Sequence, residues 1–298
     1  MGSFGPGDLL TAWVVSPVGV ALAVVLSAGY ACILVAVRRR GERLPVLRVA
    51  TFAVVGIGSF VLATCGGMAA HRSTSFVAAA AQSAVLAAIT PVGVALGDPV
   101  GLGLRVLPAA RAATARRLLA GRWVRLVMFP LVGSVLATVL HLTMFVTPWL
   151  ARSLDHAWLR EATYAALVGS GLVFVLPLLA DDLAPAWCTP GVRVLVGFGD
   201  GLLDAVPGVV VMASPALLGA PVDAYLRAAD PLWEQHVGGG VMFGLAELVG
   251  LPLLAATVAA WVRADRAEAA AVDARLDLEP ASDRPWWETD PRFRHPSS

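Results

Sequence analysis

Residues 9–40 read LLTAWVVSPVGVALAVVLSAGYACILVAVRRR, an uncharged apolar run closed by three arginines. A bilayer's hydrocarbon core, about 30 Å thick, is crossed by roughly 20 consecutive apolar residues in an α-helix. This run is long enough, and its arginine stop marks where the chain meets water. Similar runs follow at about 46–69, 75–97, 124–147, 160–180, 192–216 and 237–262, each bounded by charge, proline or glycine. The expectation is therefore an all-α fold: a polytopic membrane helix bundle of about seven transmembrane helices.

Composition agrees. Of 298 residues, 58% are hydrophobic and 14% charged, and the mean hydropathy is +0.75, more apolar surface than a soluble core of this size buries. All 22 basic residues are arginine, which points to a GC-rich, bacterial coding sequence. The segment before the first run carries no basic region, so a removable signal peptide is not expected. Cys32, Cys65 and Cys188 are too few and too scattered for a disulfide framework or thiolate zinc site and read as buried apolar residues.

Arginine placement orients the bundle, because positive loops stay on the cytoplasmic side. The first loop holds Arg38, Arg39, Arg40, Arg43 and Arg48. The third holds Arg105, Arg111, Arg116, Arg117, Arg122 and Arg125, with room for a short interfacial helix. The even-numbered loops hold few: Arg72, then Arg152 with Arg160, then Arg227. The N-terminus is expected outside and the C-terminus in the cytoplasm. Residues 1–262 then form the transmembrane bundle, and 263–298 a helix extension and a Pro-rich tail in which Trp286 and Trp287 suit a membrane interface, a partner or packing on the chain's own loops.

Two groups of residues carry chemical potential. On this topology His71, His141, His156 and His236 fall at the outer face, with Cys65, Met68 and Met144 close by in sequence and Met242 two turns into the last run. Imidazole with thioether or thiol sulfur suits copper, above all Cu(I). Histidines also occur freely at helix ends, and that reading stays open. The second group is intramembrane acid: Asp200 and Asp204, four apart on one helix face, and Glu247 at a similar depth. Without an arginine inside the spans to pair with, at least one should hold a proton. Such residues either serve an ion pathway or hydrogen-bond one helix to another. No phosphate-binding loop, dinucleotide fingerprint, zincin helix or nucleophile elbow is present, so neither an enzyme nor a nucleic-acid partner is expected.

The order of residues over 75–180 and 230–255 resembles the CtaG-type cytochrome c oxidase assembly factors, a bacterial membrane family. The stretches are Pro91 with Gly97-Asp98-Pro99, Leu104-Arg105 and Leu107-Pro108, and Leu140-His141-Leu142. They continue through His156 with Trp158, Leu176-Pro177-Leu178 before Asp181, and Glu234-Gln235-His236 before Gly238-Gly239 and Met242. The resemblance implies a multi-pass protein of the bacterial plasma membrane that helps build the copper-containing oxidase, with its subunits as partners and copper handled through His141, His156 and the sulfur residues. It also marks departures: Ala79, Ser83, Arg160 and Tyr164 stand where the family often carries histidine, while Gln82 is kept. An ion-coupled transporter using the midplane acids, or a ligand-free scaffold subunit, are the alternatives.

Overall fold

Ser16 opens the first helix: its hydroxyl accepts from Gly19 N at 3.1 Å and Pro17 occupies the first turn, where a missing N–H costs nothing. The helix therefore begins at Pro17, later than the apolar run. The residues before it take another course, with a 3-10 turn at Pro6–Leu9 packed on Gly67, where a Cβ would meet the Asp8 carbonyl oxygen at 2.0 Å.

The computed structural model describes residues 4–119, 121–127, 129–179, 189–219, 222–278 and 292. Among these the chain is mostly helical, with no strand. The elements are α1 (Pro17–Arg39), α2 (Val46–His71), α3 (Phe76–Val106), α4 (Ala109–Leu119), α5 (Arg122–Val127), α6 (Pro130–Val146), α7 (Trp149–Asp155), α8 (Ala157–Leu179), α9 (Pro190–Ala213), α10 (Asp223–Leu226) and α11 (Pro231–Leu278). Six of them, α1, α2, α3, α8, α9 and α11, are long and apolar enough to cross a bilayer. A seventh crossing is made where Leu131–Val146 and Trp149–Asp155, bent by 78° at Thr147–Pro148, count as one. Asp181, Trp286, Trp287 and Cys188 lie outside the described residues.

The third helix is the axis of the bundle. Every residue of Phe76–Ala84 is buried, and this run is mostly alanine, so neighbours approach closely. A π-helical stretch, Val85–Ile89, follows it, and another, Thr51–Gly58, lies in α2. These two helices cross at Gly56 and Gly93, where a Cβ on Gly93 would stand 2.2 Å from Gly56 N. On the other side, α9 and α11 touch backbone to backbone, Gly239 against Gly208 and Met212. The outer faces carry exposed Val24, Val25, Leu195, Leu202 and Leu248, as lipid-facing helices do. Cys32 is also exposed, contrary to its sequence reading, because it lies on the lipid side of peripheral α1; Cys65 is buried as expected.

At one end of the bundle Asp98 takes a left-handed conformation (φ 51°), accepts from Gly101 N at 3.0 Å and pairs with Arg48 at 3.3 Å. This turn bends the end of α3 back toward α1. The last helix is the longest: 48 residues, or about 72 Å at 1.5 Å per residue. Its residues from Val258 to Leu276 are all exposed.

Candidate functional site

Between α3, α6, α8, α9 and α11 lies a cavity of about 50 Å³. Its polar lining comes from Ser134 and His141 on α6, Ser170 on α8, and Asp200 and Asp204 on α9, with the Met242 thioether of α11 beside them. The sequence offered the acids and the histidine as separate groups; the fold brings His141, Asp200 and Asp204 to one space.

Helix geometry explains the convergence. Asp200 and Asp204 are one turn apart and face α6, while Ser134 and His141 are two turns apart on α6 and face back. Asp200 is buried and accepts a hydrogen bond from the Ser134 hydroxyl. His141 is buried, with Nδ1 2.8 Å from the Ala137 carbonyl oxygen. That contact makes Nδ1 the donor toward the Ala137 carbonyl, and the ring also engages the Ser83 backbone. Glu247, half-buried on α11, is close enough to Asp204 for their charges to oppose each other. The cavity can hold water, and its walls supply donors, acceptors and one soft sulfur.

The remaining candidates fall elsewhere. Met144 is buried in a core cluster with Phe76, Phe145, Leu150 and Met242, and Met242 also lines the cavity that His141 lines. Met68 belongs to another cluster, with Phe60, Val85 and Leu167. Cys65 lies beside Thr64, its sulfur 3.7 Å from the hydroxyl. His71 sets Nδ1 2.9 Å from Gly67 O with its ring 5.5 Å from Phe4, and His236 sets Nε2 2.8 Å from Ser214 O. His156 is exposed, Nδ1 3.1 Å from Arg152 O. Among the described residues no three His, Cys, Asp or Glu side chains are grouped so as to hold a metal ion.

A second polar constellation was not singled out from sequence. Arg72 is buried. Its guanidinium donates to the Tyr164 hydroxyl at 2.5 Å and to Ser153 O at 3.1 Å, and its own carbonyl accepts from the Tyr225 hydroxyl. Burial pushes the Tyr225 phenol above its ordinary range, while the Arg72 charge pulls the other way. Glu234, also buried, accepts from Ser75 Oγ at 2.5 Å and Phe76 N at 3.1 Å, and so caps the N-terminus of α3. Gln235 is bonded at both ends, to Leu218 N at 2.8 Å and to Ala216 O at 3.2 Å. The available signal was scarcity. The chain has three tyrosines, and two of them meet the lone arginine of the second loop.

The family model for the cytochrome c oxidase caa3 assembly factor matches residues 28–264, about four-fifths of the chain. This chain belongs to the cytochrome c oxidase caa3 assembly factor family. Among curated proteins it is similar to uncharacterized proteins of Mycobacterium bovis and Mycobacterium tuberculosis. Each is 29% identical over 288 residues, covering 92% of this chain and 43% of the relative. One from Mycobacterium leprae is 26% identical over 278 residues, covering 88% and 41%. The chain thus spans less than half the length of these curated relatives. No solved structure matches it. In this member of the assembly-factor family, Ala79 and Ser83 are buried on the central helix, Tyr164 is held by Arg72, and Arg160 pairs with Glu161 at 3.2 Å. These are the four positions at which the resemblance set histidine.

Proposed function

We propose that the chain is a non-catalytic membrane assembly factor for a copper-containing cytochrome c oxidase of a bacterial plasma membrane. It acts on oxidase subunits at the outer face and passes copper to them as cargo. The observation that carries this reading is the family match over residues 28–264. The arrangement around His141 supports the cargo: one buried imidazole, with the Met144 and Met242 thioethers in the adjoining core, is a soft donor set suited to Cu(I). With so few ligands the ion is held briefly, as a carrier holds it. His156, exposed at the start of α8, suits an entry position.

The test has two parts. Deleting the gene should lower the membrane content of haem- and copper-loaded oxidase, restored by the wild-type chain but less by one carrying His141→Ala and His156→Ala. The purified chain titrated with Cu(I) under reducing conditions should bind above a detergent-only control, and the double variant should bind less. Unchanged oxidase in the deletion strain would sink the assembly role. Wild-type oxidase assembly without any copper binding would leave a ligand-free scaffold instead.

One observation favours a second reading, an ion-coupled transporter: Asp200 and Asp204 line an internal cavity with Glu247 nearby. Proton flux in reconstituted vesicles that depends on Asp204 would select it.

A further inference from the structure

One end of the bundle is strongly cationic in three dimensions. Arg38, Arg39, Arg40 and Arg43 stand exposed where α1 ends, and Arg105, Arg111, Arg116 and Arg117 stand exposed along the end of α3 and on α4. The two groups are distant in sequence but joined in space. The Arg40 guanidinium donates to the carbonyl oxygens of Arg105 and, at 2.9 Å, of Val106. Across residues 38–43 and 105–119 the acid is Glu42 alone, and nearby Asp98 is engaged by Arg48. At the opposite end Arg72 is buried in hydrogen bonds and Arg160 is paired with Glu161, and exposed Arg152 and Arg227 have the exposed acids Asp155, Asp223 and Asp230 close in sequence.

Depth follows from helix length. The 23 residues of α1 rise about 34 Å, slightly more than the hydrocarbon core. If Ser16 marks one interface, Arg38 to Arg40 mark the other, at the level of lipid phosphates. The same surface is also apolar. Val46 is 83% exposed, Leu47 74% and Leu118 68%, next in sequence to the arginines. On α4, Ala112 is buried and Ala115 and Leu119 partly so, which leaves Arg111, Arg116, Arg117 and Leu118 facing outward. A soluble acidic partner would match the charge but not these large aliphatic side chains. A zwitterionic lipid would match the aliphatic groups, but its own cation would offset its phosphate.

We infer that this end of the bundle binds anionic phospholipid. The guanidinium groups take the headgroup phosphates, while Val46, Leu47 and Leu118 lie among the first methylenes of the acyl chains. This inference stands apart from the oxidase reading and from copper.

The test uses the full chain purified in detergent and titrated with phosphatidylglycerol or with phosphatidylcholine of the same acyl chains. Thermal midpoint and lipids retained in native mass spectrometry are the readouts. Phosphatidylglycerol should raise the midpoint more than phosphatidylcholine, and the difference should shrink in high salt. A variant with Arg38, Arg39, Arg116 and Arg117 all changed to Gln should lose apparent phosphatidylglycerol affinity by roughly tenfold or more. The same four changed to Lys should keep most of it, which separates lost charge from misfolding. A control, Arg263→Gln with Arg266→Gln on the exposed end of α11, should behave as wild type. Equal effects of the two lipids, or equal responses of wild type and the Gln variant, would overturn the inference. A rise in midpoint reproduced by soluble poly-glutamate without lipid would overturn it in favour of an acidic protein partner.

Discussion

Asp200 shows how a single residue in lipid is kept soluble in its own protein. Its carboxyl accepts from Ser134 and faces a space roomy enough for water, so its cost is met by neighbours rather than by bulk solvent. Asp200→Asn should keep the Ser134 contact and fold nearly as well as wild type. Asp200→Leu should remove the acceptor that Ser134 donates to and lower stability by roughly 1–3 kcal/mol. Thermal midpoints of both variants in detergent decide it, and equal values would show that the contact is idle. Tyr225 offers a pH test. Its phenol is held above the free value of 10.0, mainly by burial. The native state therefore binds this proton more tightly than the unfolded chain. The resulting stability is fully present below pH 10 and is lost as pH climbs from there toward the native value. Tyr225→Phe should be less stable than wild type at pH 8, and the gap should narrow above pH 10. A gap that stays constant to pH 11 would contradict the assignment.

Among the elements, what the sequence made legible was apolar length and what it hid was backbone punctuation. The runs at 46–69 and 192–216 correspond closely to α2 and α9, because hydropathy sets which segments leave water. The first run overestimates its helix, since Ser16 and Pro17 start a helix whatever the hydropathy before them. The fourth run, 124–147, ends at the 78° bend but begins too early, because Pro130 starts a new helix whatever the hydropathy before it. Close crossings were legible only as glycine richness. Gly93→Ala should cost about 1–3 kcal/mol, because its Cβ meets Gly56 backbone that cannot yield without parting α2 from α3. Gly29→Ala, with open space around it, should be neutral or stabilising by up to about 1 kcal/mol through helix propensity. If the two variants melt alike, the crossing is not as tight as its geometry.

For the molecule as a whole, arginine placement predicts that the cationic end faces the cytoplasm. With the three cysteines replaced, Thr114→Cys on exposed α4 should react with an impermeant maleimide in inside-out vesicles and not in intact cells. Labelling of intact cells would reverse the topology and move His71, His141, His156 and His236 to the other side. The site was half legible. Asp200 and Asp204 on one face were readable from their spacing, but that His141 shares their cavity depends on the crossing of α6 with α9, which no local pattern encodes. The Arg72 network was illegible for the same reason: Tyr164 and Tyr225 approach it from 92 and 153 residues away.

The cap on the central helix has a bearing on how the chain is made. Ser75 and Phe76 wait for Glu234, 159 and 158 residues later in the sequence. At a translation rate of about 5–20 residues per second, that interval lasts roughly 8–30 s. For that time the nascent helix sits in the membrane with its Phe76 amide and Ser75 hydroxyl unanswered by the carboxylate that will hold them. The helix Pro231–Leu278, made long after the central one, is thus the one that latches it, and a chain arrested before Glu234 is a membrane-inserted but unlatched intermediate.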